Sequence, residues 1–137
     1  MKLLIDTNVI LDACLSREPW NEAAEEIIIA CAEERVIGCL TASSVTDIYY
    51  VLNKELHSAD RAKQAVMKIL TLLEVLDVTG LDCEKAFDLP MADYEDALLA
   101  YCGKRHKADY IVTRNPKHFN GSPVQIVSPD VLLKKLQ

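Results

Sequence analysis

The run Leu3-Leu4-Ile5, broken at once by Asp6, constrains this chain more than any other stretch. An apolar run without alternation reads as a strand covered on both faces, the mark of a parallel sheet in an α/β protein. Val9, Ile10 and Ala13 then recur at helical spacing, with Thr7 or Asn8 as the expected cap. Asp6 is thereby expected at a strand-to-helix junction. Open α/β sheets bind their ligands there, beyond the carboxyl ends of the strands.

The same alternation repeats along the chain. Ala24, Ile27, Ile28 and Cys31 form one helical face, and residues 36–40 read as a second strand. Thr41-Ala42-Ser43-Ser44 supplies capping residues for a helix with Val45, Ile48, Tyr49 and Leu52 inward. Ala62, Ala65, Val66, Ile69 and Leu73 mark another helix, and residues 74–78 a third strand. Thr79-Gly80-Leu81-Asp82 opens a short helix that ends before Pro90. A helix after Asp93, strands at 109–113 and 124–127, and a last helix from Ser128-Pro129 complete the series. Strands alternating with one or two helices predict a three-layer α/β/α sandwich around a central, mostly parallel sheet, with residues 1–137 as one domain.

Half of the 137 residues are hydrophobic and 26% are charged, with 4 Gly and 5 Pro, which excludes a disordered chain. No apolar run approaches the ~20 residues of a membrane span. The 5 cysteines form no C-x-x-C pair, and an odd number argues against a disulfide framework. They read as small core residues in a reducing, cytoplasmic setting. A formal net charge of −6 is unlike the basic footprint of most nucleic-acid binders. Acids gathered around bound cations escape that objection, because the cations invert the local electrostatics.

Four positions qualify as oxygen ligands at the carboxyl ends of strands. Asp6 ends the first strand. Asp47 is expected in the first turn after the second, where it either complements the helix dipole or faces Asp6 as a ligand. In Asp93-Tyr94-Glu95-Asp96, Asp93 reads as the helix cap and leaves Asp96 free to coordinate. Asn115 follows the fourth strand and offers a neutral carbonyl oxygen. Oxygen donors without Cys or His spacing favour Mg²⁺ or Mn²⁺ over zinc. A pair of such ions can activate water and stabilise the leaving oxygen of a phosphodiester. Arg114, Lys117 and His118 beside them are expected to meet substrate phosphates. Lys104-Arg105-His106-Lys107 reads as a solvated helix terminus rather than an RNA patch.

The stretches Leu3 to Asp12, Glu95-Asp96-Ala97-Leu98, and Ala108 to Asn115 with Phe119 resemble the motifs of the PIN-domain family, and the likeness spans essentially the whole chain. By position, Asp6, Asp47, Asp96 and Asn115 match the family's four acidic positions, Thr113 its supporting hydroxyl, and Asn8 a polar neighbour of the first acid. Two departures stand out: Asp47 replaces the usual Glu and is one methylene shorter, and Asn115 replaces a frequent Asp. The resemblance implies a Mg²⁺- or Mn²⁺-dependent ribonuclease acting on RNA, often a VapC-type toxin held by a small antitoxin, and a homodimer. The alternative is a catalytically weak module that binds RNA or protein. An aspartyl phosphatase of the haloacid dehalogenase type would need an acid where Asn8 stands, and a receiver domain would need paired acids where Asp6 is single.

Overall fold

A computed structural model describes residues 1–137. Its order is β1 (Lys2–Ile5), α1 (Thr7–Leu15), α2 (Asn21–Ala32), β2 (Ile37–Thr41), α3 (Ala42–Leu56), α4 (Ala59–Leu72), β3 (Glu74–Leu76), α5 (Gly80–Lys85), α6 (Tyr94–Arg105), β4 (Tyr110–Val112), β5 (Gln125–Val127) and α7 (Pro129–Leu136). Short 3-10 turns occupy Ala86–Asp88 and Pro116–Phe119. The strands form one sheet in the order β3-β2-β1-β4-β5, and all four pairings are parallel.

Side-chain alternation along the strands divides the core into two layers. Leu3 and Ile5 of β1, Leu40 of β2, Val112 of β4 and Val127 of β5 face a large cluster built with α1, α2, α3, α4 and α7. Leu4, Cys39 and Ile111 turn the other way, onto Leu99 and Ala100 of α6 and onto Phe119. Register explains the rows, since Leu4 pairs with both Cys39 and Ile111, while Ile5 pairs with Val112 and Val112 with Val127. The sandwich expected from the sequence is therefore present, with every strand central to it or at its edge in parallel.

Gly38 of β2 is a packing requirement. A Cβ there would run into Cys31 Sγ, and Leu73 lies close behind.

Three local expectations need correction. Neither Thr7 nor Asn8 caps α1; the cap position is Asp6, in extended conformation, and its carboxylate makes no capping bond. Helix α3 begins directly at Ala42, with no intervening loop, so Asp47 sits in its second turn and not its first. The basic end of α6 is not simply solvated. Arg105 Nε and Nη2 reach the buried Asp82 at 2.7 and 2.8 Å, Nη2 also meets Asp77 Oδ1 at 3.2 Å, and His106 Nε2 lies 2.9 Å from the same carboxylate. Asp82 also closes a capping box with Thr79, and Arg105 holds its carboxyl down at about 2.

Candidate functional site

The register that orders the core also builds the site. Because Ile5 pairs with Val112, the next residues along each strand, Asp6 and Thr113, emerge side by side at the carboxyl edge. The Asp6 N–H donates to Val112 O at 3.0 Å, and the Thr113 N–H to Val127 O at 3.0 Å. The buried Thr113 hydroxyl then donates to Asp6 Oδ2 at 2.9 Å. Asp6 is thus oriented by a neighbouring strand and not consumed by its own helix.

Around it opens a cavity of about 460 Å³. Asp6 and Asn8 line it from β1 and α1, Asp47 from α3, Asp93 and Asp96 from α6, and Thr113, Asn115 and His118 from the segment after β4. Asp93 does cap α6, accepting the Asp96 N–H at 2.9 Å, which leaves the Asp96 side chain unspent. The Asn115 N–H donates to Thr113 Oγ1 at 3.3 Å, so one hydroxyl links Asp6 to Asn115. Sequence reasoning overlooked Glu95 and Tyr50, which also line the cavity. Glu95 stands in the first turn of α6 beside Asp96, and Tyr50 lies three residues after Asp47 on α3, the spacing of one helical face.

Of the three expected phosphate ligands, only His118 lines the cavity, and it is the only basic side chain there. Lys117 is exposed outside the lining. Arg114 departs most from expectation. Its Nε lies 2.8 Å from Oδ2 of the buried Asp12, and its guanidinium sits 4.0 Å over the Trp20 ring. The chain leaves the sheet after Val112 and bends at Arg114, so that Thr113 and Asn115 line the acidic cavity while the Arg114 side chain turns to α1.

The electrostatics are those of crowded carboxylates. Burial raises the pKa of Asp6, against the Thr113 hydrogen bond and the charges of Arg114 and His118. Asp96 is pushed up to about 6, first by burial and then by Asp93, Asp6 and Glu95. This donor set suits a hard divalent cation, since it is all oxygen apart from His118 and holds surplus negative charge. No three of the acids stand close enough together to form a ready-made metal site.

The Asp96 shift gives a stability test. A raised folded-state pKa contributes stability that is complete below the ordinary carboxylate value and is lost as pH rises through about 6. Asp96→Asn removes the repelled charge. In metal-free protein it is expected to stabilise by about 1 kcal/mol at pH 7, discounted for solvent screening of a half-exposed group, or roughly 3–5 °C in Tm. The gain should vanish near pH 4, which thermal melts at the two pH values will check.

A PIN domain family model matches residues 2–117, most of the chain and all of the cavity-lining positions except two, His118 and Phe119. The chain belongs to the PIN-domain family. Solved PIN-like structures agree in fold. The chain is similar to VapBC2 from Rickettsia felis bound to a promoter DNA fragment, at 16% identity and a TM-score of 0.69, covering 93% of this chain and 98% of that one. DNA-bound VapBC from Salmonella typhimurium is similar at 20% identity and a TM-score of 0.69, with 94% and 98% covered. VapC20 from Mycobacterium tuberculosis, described as a toxin cleaving the sarcin-ricin loop, is similar at 15% identity and a TM-score of 0.63, with 80% and 86% covered. No curated protein matches the sequence significantly. No helix of this PIN domain is long and apolar enough to cross a membrane.

Proposed function

We propose that this PIN domain is a divalent-metal-dependent endoribonuclease that uses Mg²⁺ or Mn²⁺ held by Asp6, Asp47, Asp96 and Asn115. One observation carries the reading: oxygen donors from four separate segments of a PIN fold line a single acidic cavity. A bound ion would supply charge neutralisation at a phosphodiester and a water of lowered pKa. The chain's own residues do the rest. Thr113 orients Asp6 and favours its ionised form. Asp93 occupies the cap, which leaves the Asp96 carboxylate free to join those of Asp6 and Asp47, and Asn115 adds a carbonyl acceptor without a fourth charge. Asn8 lines the cavity beside Asp6 as a polar neighbour. His118, able to donate from the cavity wall, would hold a substrate phosphate, with Lys117 nearby on the same turn.

The likeness to VapBC complexes supports a toxin with an antitoxin partner, and the motif resemblance adds the proposal of a cytoplasmic homodimer. A second reading, a weakly catalytic module that binds RNA or protein, is favoured by the acids standing too far apart to form a ready site. Calorimetric titration of Mn²⁺, paired with an RNA cleavage assay, separates them. Wild type is expected to bind Mn²⁺ and to cleave RNA until chelator is added, and Asp6→Asn/Asp96→Asn to do neither while remaining folded. Folded wild type that binds RNA, takes up no Mn²⁺ and leaves the RNA whole would establish the module instead.

A further inference from the structure

We propose that Arg114, clamped between Asp12 and Trp20, is a positioning residue that sets Thr113 and Asn115 on the wall of the acidic cavity; its consequence for metal rests on the reading above. Asp12 is fully buried on α1, three residues after Val9 and hence on an apolar helix face. A carboxylate there is unfavourable unless paired. Its pairing is with Arg114 Nε at 2.8 Å from Oδ2, and more distantly with Arg17 Nη1 at 4.0 Å from Oδ1. Neither Asp12 oxygen nor Arg114 Nε makes a directed hydrogen bond, so charge and enclosure hold the pair. Burial raises the Asp12 pKa and the two arginines oppose it, which ties the ionised carboxylate to their presence.

The opposite constraint on Arg114 is the Trp20 ring, 4.0 Å from the guanidinium carbon. That ring is 44% exposed, so its burial in the core does not explain its placement. Stacking on a guanidinium does. Asp12 on α1 and Trp20 just before α2 thereby grip a side chain whose main chain belongs to the cavity wall.

The wall needs such a grip because β4 ends at Val112. Beyond it, Thr113 keeps one backbone bond to β5, and Asn115 adopts φ −123° and ψ 70°, outside any regular element. Fixing Arg114 on one side of this segment fixes the direction of its two neighbours on the other. The Thr113 hydroxyl is thereby aimed at Asp6 and Asn115 at the cavity. Arg114 acts through its neighbours and, at a distance, through its charge on Asp6, without lining the cavity itself.

The test compares amide hydrogen exchange of the metal-free protein with Mn²⁺ calorimetry. Asp12→Leu/Arg114→Met removes both charges and keeps the volume, so no buried charge is left unpaired. The Asn115 and His118 amides, bonded to Thr113 Oγ1 and Asn115 O, should exchange at least about tenfold faster while α6 amides stay unchanged. Mn²⁺ should bind at least about tenfold more weakly. Trp20→Leu, at a partly exposed position, should speed the same two amides and serves as the deciding variant should the double replacement fail to fold. Unchanged exchange at Asn115 and His118 overturns the clamp, whatever the metal does. Absence of Mn²⁺ binding by wild type would sink the metal reading instead, and the exchange result would still decide the clamp.

Discussion

Thr113→Val is expected to weaken Mn²⁺ binding by about 10–100-fold, the usual effect of removing a hydrogen-bond partner from a metal-ligating carboxylate. Valine matches threonine in shape and suits an extended segment, so the buried site stays filled. What disappears is the donor 2.9 Å from Asp6 Oδ2. Two consequences follow. Asp6 loses the contact that selects its orientation, and burial raises its pKa with less opposition. Protons then compete better with metal, so the loss of affinity should be larger at pH 5.5 than at pH 7.5. Thr113→Ser keeps the hydroxyl and should restore most of the binding. Calorimetric titration of the three proteins at both pH values checks this. Equal affinities for valine and wild type would remove Thr113 from the site.

Thr113 also shows how the site was legible. The sequence pointed to its hydroxyl only through the family resemblance, and the structure gives the reason it meets Asp6: both residues end apolar runs that pair in a parallel sheet. Those runs, with helical periodicity between them, carried the layer architecture. Caps were similarly local: Asp93 and Ser128 accept the N–H three residues on, as their positions ahead of periodic segments indicate. The turn in which Asp47 falls was misjudged because Thr41 passes straight from strand to helix, and nothing in Thr41-Ala42-Ser43-Ser44 marks which residue is the cap. Its Oγ1 in fact contacts the hydroxyls of both Ser43 and Ser44, at 3.0 and 2.8 Å.

Arg114 departs from its expected place beside substrate phosphates for a different reason. Its neighbours in sequence belong to the acidic cavity, but adjacency does not give a shared direction where the chain bends at Arg114 beyond the end of β4. Asp12 also carried a signal that went unused: a carboxylate at i+3 from Val9 on an apolar face implies a buried partner. The partner itself was not legible, since Arg114 lies about a hundred residues further along and only the fold brings it to α1.

The basic end of α6 makes the same point energetically. Arg105→Met is expected to lower Tm by roughly 10 °C, more than any single change around the cavity. Asp82 is 1% exposed and spends its carboxylate on Arg105, the Thr79 N–H and Cys102 Sγ. Met fills the place of the aliphatic stem but leaves a buried anion with only the neutral donors. In wild type the Asp82 pKa is lowered to about 2, so its stabilisation is present above the ordinary carboxylate value and lost as pH falls through about 2. Without Arg105 that pKa rises, and the difference between wild type and variant should narrow as pH drops below about 4. Asp82→Asn/Arg105→Met removes the stranded charge and should recover much of the lost Tm. Mn²⁺ affinity should stay unchanged in both variants, because neither residue lines the acidic cavity. A solvated helix terminus, as the sequence suggested, would instead tolerate Arg105→Met with a Tm change of about 1 °C or less, the usual effect of an exposed charge.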